Sequence, residues 1–306
     1  MRPGLGGLHM NRTAIFKKIL LLSLLFFTLL FTACTETVSG DGVTMTVWVI
    51  DCGQGDAILV QFPDGTNMLV DGGPGKAAVD VMAFLEQQGV ERLETVVATH
   101  PHEDHLGGLD DVIYNFMREE RGIDVLYKTS AASDESFYSR FMNAVAKNGV
   151  PVRIPAVGDY LVGGPDTGWS VQCVGPVGMG HEDGNDDSLV LRVVCGDRAI
   201  LLTGDAEVVS EMEMLDTGLE LQADVLKVGH HGSHTASCDP FLDAVDPDFA
   251  VISCGAGNDY GHPHPEILEV ASERGMGLFR TDLDGTIRIV TDGTELTVTA
   301  VGKNAE

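Results

Sequence analysis

The sequence predicts an α/β protein in which two sheets pack face to face and are covered by helices. Three observations predict it. Short apolar, β-branched runs recur along the chain in two groups, helical spacings are interleaved within each group, and 306 residues of which 44% are hydrophobic suffice for a large core. The proportions are otherwise those of a globular chain, with 21% charged residues, Gly 37, Pro 12 and Cys 6, which excludes a disordered tract, a collagen and a disulfide-knotted miniprotein.

The first group opens with alternation of polar and apolar residues over Thr44 to Ile50. The turn Asp51-Cys52-Gly53-Gln54-Gly55-Asp56 follows, then Ile58 to Phe62, the turn Pro63-Asp64-Gly65 and Asn67 to Val70, which together read as antiparallel strands joined by tight turns. Lys76 to Gln88 carries Val79, Met82, Ala83 and Leu85 at helical spacing. Thr95 to Thr99 is a β-branched strand that runs straight into a histidine cluster. A strand over Asp124 to Thr129 and a helix over Glu135 to Asn148 come next.

The second group has strands over Ser170 to Val174, Ser188 to Val194 and Ala199 to Thr203, a helix from Glu207 to Leu215, and a strand from Asp224 to Val228. A helix near Pro240 to Val245, a strand from Phe249 to Ser253 and a helix from Pro265 to Arg274 follow. Strands Leu278 to Thr281, Thr286 to Thr291 and Glu295 to Val301 close the chain. No repeat, low-complexity stretch or Pro/Ser-rich linker interrupts residues 43–306, which read as one domain.

Residues 1–33 hold no acid, place Arg12, Lys17 and Lys18 before an apolar run from Ile19 to Phe31, and lead through Thr32-Ala33 to Cys34. This pattern reads as a secretory signal, too short to span a membrane comfortably. Its last residues resemble a bacterial lipobox with Phe31 in the usual Leu or Val position, so Cys34 is expected to carry a lipid anchor, residues 34–42 to form a tether, and the protein to lie outside the cytoplasm at the cell surface or be secreted. The other five cysteines, Cys52, Cys173, Cys195, Cys238 and Cys254, lack paired metal-ligand spacing, and no disulfide is assigned from sequence.

Lys+Arg 19 against Asp+Glu 46 gives a formal net charge of -27, the opposite of the basic footprint of nucleic-acid binders. Any polyanionic substrate must therefore be held locally, and basic side chains such as Lys227 are few. A short oligonucleotide or small phosphodiester suits this balance better than long duplex DNA.

The chemistry-bearing segment is His100-Pro101-His102-Glu103-Asp104-His105, three imidazoles and a carboxylate directly after a strand. Extended backbone points residues i, i+2 and i+4 the same way, so His100, His102 and Asp104 are expected to face one pocket with His105 at the turn. Such nitrogen and oxygen donors suit a borderline divalent metal. Asp205, in Leu202-Thr203-Gly204-Asp205, and His230-His231, after Val228-Gly229, stand at the ends of later strands. Taken alone, Asp205 also fits a helix cap and either histidine a satisfied polar residue.

In order and type these residues resemble the metallo-β-lactamase superfamily. More narrowly, Asp51 to Asp56, Asn185 to Val190, Leu202 to Asp205, Leu226 to Ser233 and Tyr260-Gly261-His262-Pro263-His264-Pro265-Glu266 resemble the C-terminal hydrolase domain of ComEC-type competence proteins, over residues 44–291. The resemblance implies an αββα sandwich of two mixed sheets flanked by helices, with two divalent ions, Zn²⁺ or Mn²⁺, at one edge. It implies that His100 and His102 bind the first ion, that Asp104, His105 and His230 bind the second, and that Asp205 bridges them. Asn185 stands where the superfamily has a third histidine, as in the competence-type subgroup, which weakens the first site and favours a harder ion; His181 is the nearest other imidazole.

Two such ions generate a bridging hydroxide and neutralise charge on the attacked group. The expected reaction is phosphodiester hydrolysis of single-stranded DNA or a short oligonucleotide, with Asp104, His231, His262 and His264 in the catalytic constellation. Ser233, Lys227 and His264 are candidate substrate contacts, and Asp71 and Asp56 candidate supports behind the ligands. Ser233 also suits a turn cap, His262 and His264 a shaped loop, and Asp71 a turn before glycine. Acyl hydrolysis of a lactam, lactone or ester, and a noncatalytic surface protein that binds metal or a partner, are the competing functions.

Overall fold

Side-chain alternation in the first strands already separates the layers. In β1 (Met45–Val49) Val47 and Val49 face one way and Trp48 the other, and in β2 (Ile58–Gln61) Ile58 and Val60 oppose Leu59; all of them are buried. A sheet buried on both faces needs a second sheet on one side and helices on the other. The computed structural model, which describes residues 44–118, 121–181 and 184–302, supplies both. The signal, tether and Cys34 expectations lie outside the described residues, and among those described no helix is long and apolar enough to cross a membrane.

The remaining elements are β3 (Asn67–Val70), α1 (Ala78–Gln87), β4 (Leu93–Ala98), α2 (Glu103–Leu106), α3 (Leu109–Phe116), β5 (Ile123–Lys128), α4 (Ser136–Asn148), β6 (Val152–Arg153), β7 (Tyr160–Gly163), β8 (Trp169–Gly175), β9 (Val190–Cys195) and β10 (Arg198–Leu202). Then come α5 (Val208–Asp216), β11 (Val225–Lys227), α6 (Asp239–Val245), β12 (Phe249–Ile252), α7 (Pro265–Glu273), β13 (Gly277–Arg280), α8 (Thr281–Asp284), β14 (Ile287–Thr291) and β15 (Leu296–Ala300). One sheet has the order β15-β14-β1-β2-β3-β4-β5-β6 and the other β13-β12-β11-β10-β9-β8-β7. Both are mixed: β3 to β6 and β10 to β13 pair in parallel, the others antiparallel.

Between the sheets Val47, Ile58, Met68 and Val97 meet Val171, Leu191, Ile200, Val225 and Val251. Outside the first sheet, Leu59, Leu69, Val96 and Leu126 pack on α1, α3 and α4 through Val81, Leu85, Val112, Ile113, Phe116 and Phe141. Outside the second, Val190, Leu201, Leu226 and Ala250 pack on α5, α6 and α7 through Met214, Phe241, Leu242 and Ile267. The predicted αββα sandwich is thus the fold.

Three features depart from the strand and helix expectations. The final hairpin does not extend the second group but returns to the first sheet, where Ile289 and Ile287 pair with Val47 and Val49 and complete the inner apolar layer. Helix α3 went unpredicted although Leu109, Val112, Ile113 and Phe116 keep helical spacing and are buried. The short strands β6 and β7 also went unpredicted; both lie at sheet edges, where exposed residues give no continuous apolar run. The five described cysteines are unpaired, and burial pushes the Cys173 thiol up to about 12.

Candidate metal centre

The cluster is assembled where strand ends of both sheets meet. Leu189 N donates to Thr99 O at 3.0 Å, which ties the loop before β9 to the end of β4. Asp71, just after β3, adopts left-handed backbone (φ 59) and turns its carboxylate toward β4. There it accepts Thr99 N at 2.8 Å, Thr99 Oγ1 at 2.6 Å and His105 Nδ1 at 2.8 Å. A carboxylate can only accept, so Nδ1 carries the His105 proton and Nε2 is presented to the cluster. Asp71 thereby ties the end of β4 and the His105 ring together.

The loop is not extended throughout, as the i, i+2, i+4 argument assumed. His102 is extended (φ -109, ψ 155), but Glu103–Leu106 then make a helical turn, and that turn carries Asp104 and swings His105 inward. His100 Nε2 and His102 Nδ1 still meet at 3.0 Å. The Asp51 to Asp56 turn backs this arrangement: Asp56 N donates to Asp104 O at 3.2 Å, and a Cβ at Gly55 would lie 2.1 Å from Asp104 O, so only glycine fits there.

After β11 both His230 (φ 45, ψ 49) and His231 (φ 53, ψ 25) are left-handed, an uncommon conformation for two successive bulky residues. It decides which ring enters. His231 is 1% exposed, donates from Nδ1 to Ser253 O at 2.9 Å, and brings Nε2 to 3.3 Å from both His105 Nε2 and Asp104 Oδ2. His230 is half-buried, with Nδ1 2.6 Å from Glu207 Oε1 and Nε2 4.0 Å from Asp205 Oδ2. The position that the family resemblance gave to His230, beside Asp104 and His105, is thus occupied by His231, and the catalytic place given to His231 is vacated.

Asp205 stands between all of these. Its Oδ2 lies 3.4 Å from His231 Nε2 and 3.7 Å from His100 Nε2, and its Oδ1 lies 3.1 Å from His105 Nε2 without hydrogen-bond geometry. Ligand atoms of Asp56, His105, Asp205 and His231 fall within 4.8 Å of one another. Burial is the largest influence and disfavours charge on His105 and His231, yet the surrounding carboxylates, Asp205 and Asp71 for the first and Asp205, Asp104 and Asp56 for the second, together outweigh it and hold both well above the ordinary imidazole range. Against burial, His105 and His231 hold Asp205 well below the carboxylate range. Two imidazole nitrogens and carboxylate oxygens aimed at one point, in a field that favours positive charge, are the chemistry of a divalent-cation site, and the residues fit the implied metal.

Asn185, 5% exposed, lines the same cavity of about 350 Å³ as His102, Asp104, Asp205, His230 and His231, while His181 turns away to Asp187 Oδ1 at 2.6 Å. His262 also lines it; its buried Nδ1 makes no hydrogen bond among the described residues, and burial with the charges of His230 and His231 lowers it to about 4. His264 sits outside that lining and pairs with His234, Nδ1 to Nδ1 at 2.9 Å.

Two expected substrate contacts are corrected. Lys227 is 1% exposed, and its ammonium is used by Asp56 Oδ2 at 2.8 Å, Val228 O at 3.0 Å and Gly204 O at 3.3 Å. It neutralises Asp56, whose carboxyl is lowered to about 2 because Lys227 and His231 outweigh burial. Ser233 is buried and its hydroxyl pairs with Thr235 Oγ1 at 2.8 Å, closing a turn. Glu207, Ser253 and His234 were missed; His234 alone left a signal, as a third histidine in the stretch that begins at His230.

Residues 50–256 match the family described as the Metallo-beta-lactamase superfamily. ComE operon protein 3 of Bacillus subtilis (strain 168) is 29% identical over 257 residues, which cover 78% of this chain and 32% of that protein. Competence protein ComA of Neisseria gonorrhoeae is 32% identical over 256 residues, 83% of this chain and 33% of that protein. The chain spans about a third of the length of these relatives. Among solved structures, the metallo-beta-lactamase fold protein YhfI from Bacillus subtilis superposes with a TM-score of 0.52 at 14% identity, covering 77% of this chain and 95% of that one, a likeness of fold.

Proposed function

Because the chain belongs to the metallo-beta-lactamase superfamily and has competence proteins among its relatives, we propose that it is a metal-dependent phosphodiester hydrolase acting outside the cytoplasm. One observation carries the choice of substrate. Of the 10 histidines, His100, His102, His105, His230, His231, His234, His262 and His264 gather at the metal centre and its rim, in a chain of net charge -27. A divalent-metal site with the His262 imidazole beside it suits a single phosphate held there; acids such as Glu103 and Glu135 in the same cavity disfavour a long polyanion.

His100, His102 and Asn185 would hold a first divalent ion, Asp104, His105 and His231 a second, and Asp205 stands between them. Zinc or manganese bound there supplies Lewis acidity and lowers the pKa of water. Asp71 fixes the His105 ring and Ser253 O the His231 ring, each by its Nδ1–H. His262, kept neutral, is placed to donate a hydrogen bond to a nonbridging phosphate oxygen or the leaving group. The basic and apolar run before Cys34 supports a lipid-anchored or secreted protein.

The test is turnover by the protein loaded with Mn²⁺ or Zn²⁺ on bis(p-nitrophenyl) phosphate, a short single-stranded oligonucleotide and nitrocefin, with His102→Ala as control. Cleavage of the first two and loss in the variant is expected. Turnover of nitrocefin alone would replace phosphodiester by acyl hydrolysis, and no turnover by metal-loaded protein on any of the three would leave a binding protein.

A further inference from the structure

We propose that Tyr260 is a stacking platform for the nucleobase next to the phosphate under attack, so that the substrate is a nucleoside phosphodiester in mononucleotide or single-stranded form. The inference rests on the phosphodiester reading and deepens it. Tyr260 is 65% exposed, so one face of its ring is open to a ligand. It is nevertheless held on a fixed backbone. The side chain of Asn258 accepts Tyr260 N at 3.1 Å and His262 N at 3.0 Å, and donates to Gly255 O at 2.9 Å and His262 O at 2.6 Å. Gly255 N in turn donates to Gln54 Oε1 at 3.0 Å, which pins this loop to the turn behind Asp104.

The ring itself packs on His262 with centroids 5.6 Å apart and planes 24° apart, and His262 lies 6.3 Å from the buried His231 ring. Two ring contacts thus lead from the metal centre to the open face of Tyr260. Tyr260 lines both the cavity over the cluster and an adjoining one of about 510 Å³. The second is walled by Gln54, Asn258 and the Gly255 to Gly257 backbone, polar uncharged groups that suit the edge of a base, with Lys76 as its cation. Glu103, Asp104 and Asp259 in the same wall oppose a continuous phosphate track. An aromatic face preorganised over polar walls, beside one phosphate position, is what base stacking requires.

The experiment compares kcat/KM of the metal-loaded full chain for thymidine p-nitrophenyl phosphate and methyl p-nitrophenyl phosphate, which share a leaving group and differ in the nucleoside. We expect the ratio to fall about tenfold or more in Tyr260→Ala and in Tyr260→Leu, which keeps apolar bulk without a π-face, and to hold within roughly twofold in Tyr260→Phe. A ratio equal in all four proteins overturns the platform while leaving the hydrolase reading intact. If neither diester is cleaved, that reading falls, and titration calorimetry with thymidine monophosphate decides the platform alone: weaker binding to Tyr260→Leu upholds it and equal binding overturns it.

Discussion

His105 Nε2 and His231 Nε2 lie 3.3 Å apart although 126 residues separate them in the chain. Each ring is fixed from behind by an acceptor on its Nδ1–H, Asp71 for one and Ser253 O for the other, so both turn Nε2 toward Asp205. This pairing assigns unequal roles to two adjacent histidines and gives the first prediction. His231→Ala should bind one metal ion fewer than the wild type in equilibrium dialysis with metal analysis. His230→Ala should keep the wild-type stoichiometry, with an affinity loss no larger than the roughly 10- to 100-fold typical of outer partners. The reverse order would return the ligand role to His230.

Asp71→Asn replaces an acceptor of three hydrogen bonds by an amide that can accept with only one atom. The His105 ring then loses its orientation. Metal affinity, read by competition with a chromophoric chelator, should weaken about 10- to 100-fold. An unchanged affinity would reduce Asp71 to a turn residue.

Lys227 and Asp56 are a fully buried ion pair, and removing one partner strands the other's charge. Urea unfolding of Lys227→Met should show a loss of about 3–5 kcal/mol, largely recovered in the double variant Lys227→Met/Asp56→Asn. A single variant as stable as the wild type would mean that the lysine is not committed to the fold.

Asp292 supplies a pH test away from the metal centre. Its Oδ1 accepts Thr294 N at 2.9 Å, Thr294 Oγ1 at 2.8 Å and Glu295 N at 2.8 Å in the β14–β15 turn, and these bonds lower its carboxyl to about 2. A folded pKa below the ordinary carboxyl value of 3.8 means that the unfolded chain binds more protons between those two values. The turn's contribution is therefore present above pH 3.8 and is lost as pH falls through about 2. The urea midpoint of Asp292→Ala should lie below that of the wild type at neutral pH, and the gap should close on acidification through that window. A gap independent of pH would assign the effect to the turn backbone instead.

Much of the molecule was legible in local pattern. Alternation placed β1, tight turns bounded β2 and β3, helical spacing placed α1 and α4, and the strand before His100 delivered a donor-rich loop to a sheet edge, because packing and turn chemistry leave their pattern on the residues themselves. The donor types His, Asp and Asn, with their order along the chain, pointed to a divalent site and to the superfamily before any contact was visible.

Which of two neighbouring histidines enters the site could not be read that way. It depends on two successive left-handed residues, a geometry stabilised by Ser253 O and Glu207 from distant segments and opposed by local preference. Lys227 looked like an anion contact because a lone lysine in an acidic chain is conspicuous; only the fold brings Asp56 to within 2.8 Å and encloses both. Sequence determined the layers and the donor inventory, since these follow from burial and side-chain chemistry residue by residue. Tertiary structure decided which donors converge and which charges are already neutralised, because direction and distance between remote side chains arise only when both sheets are packed together.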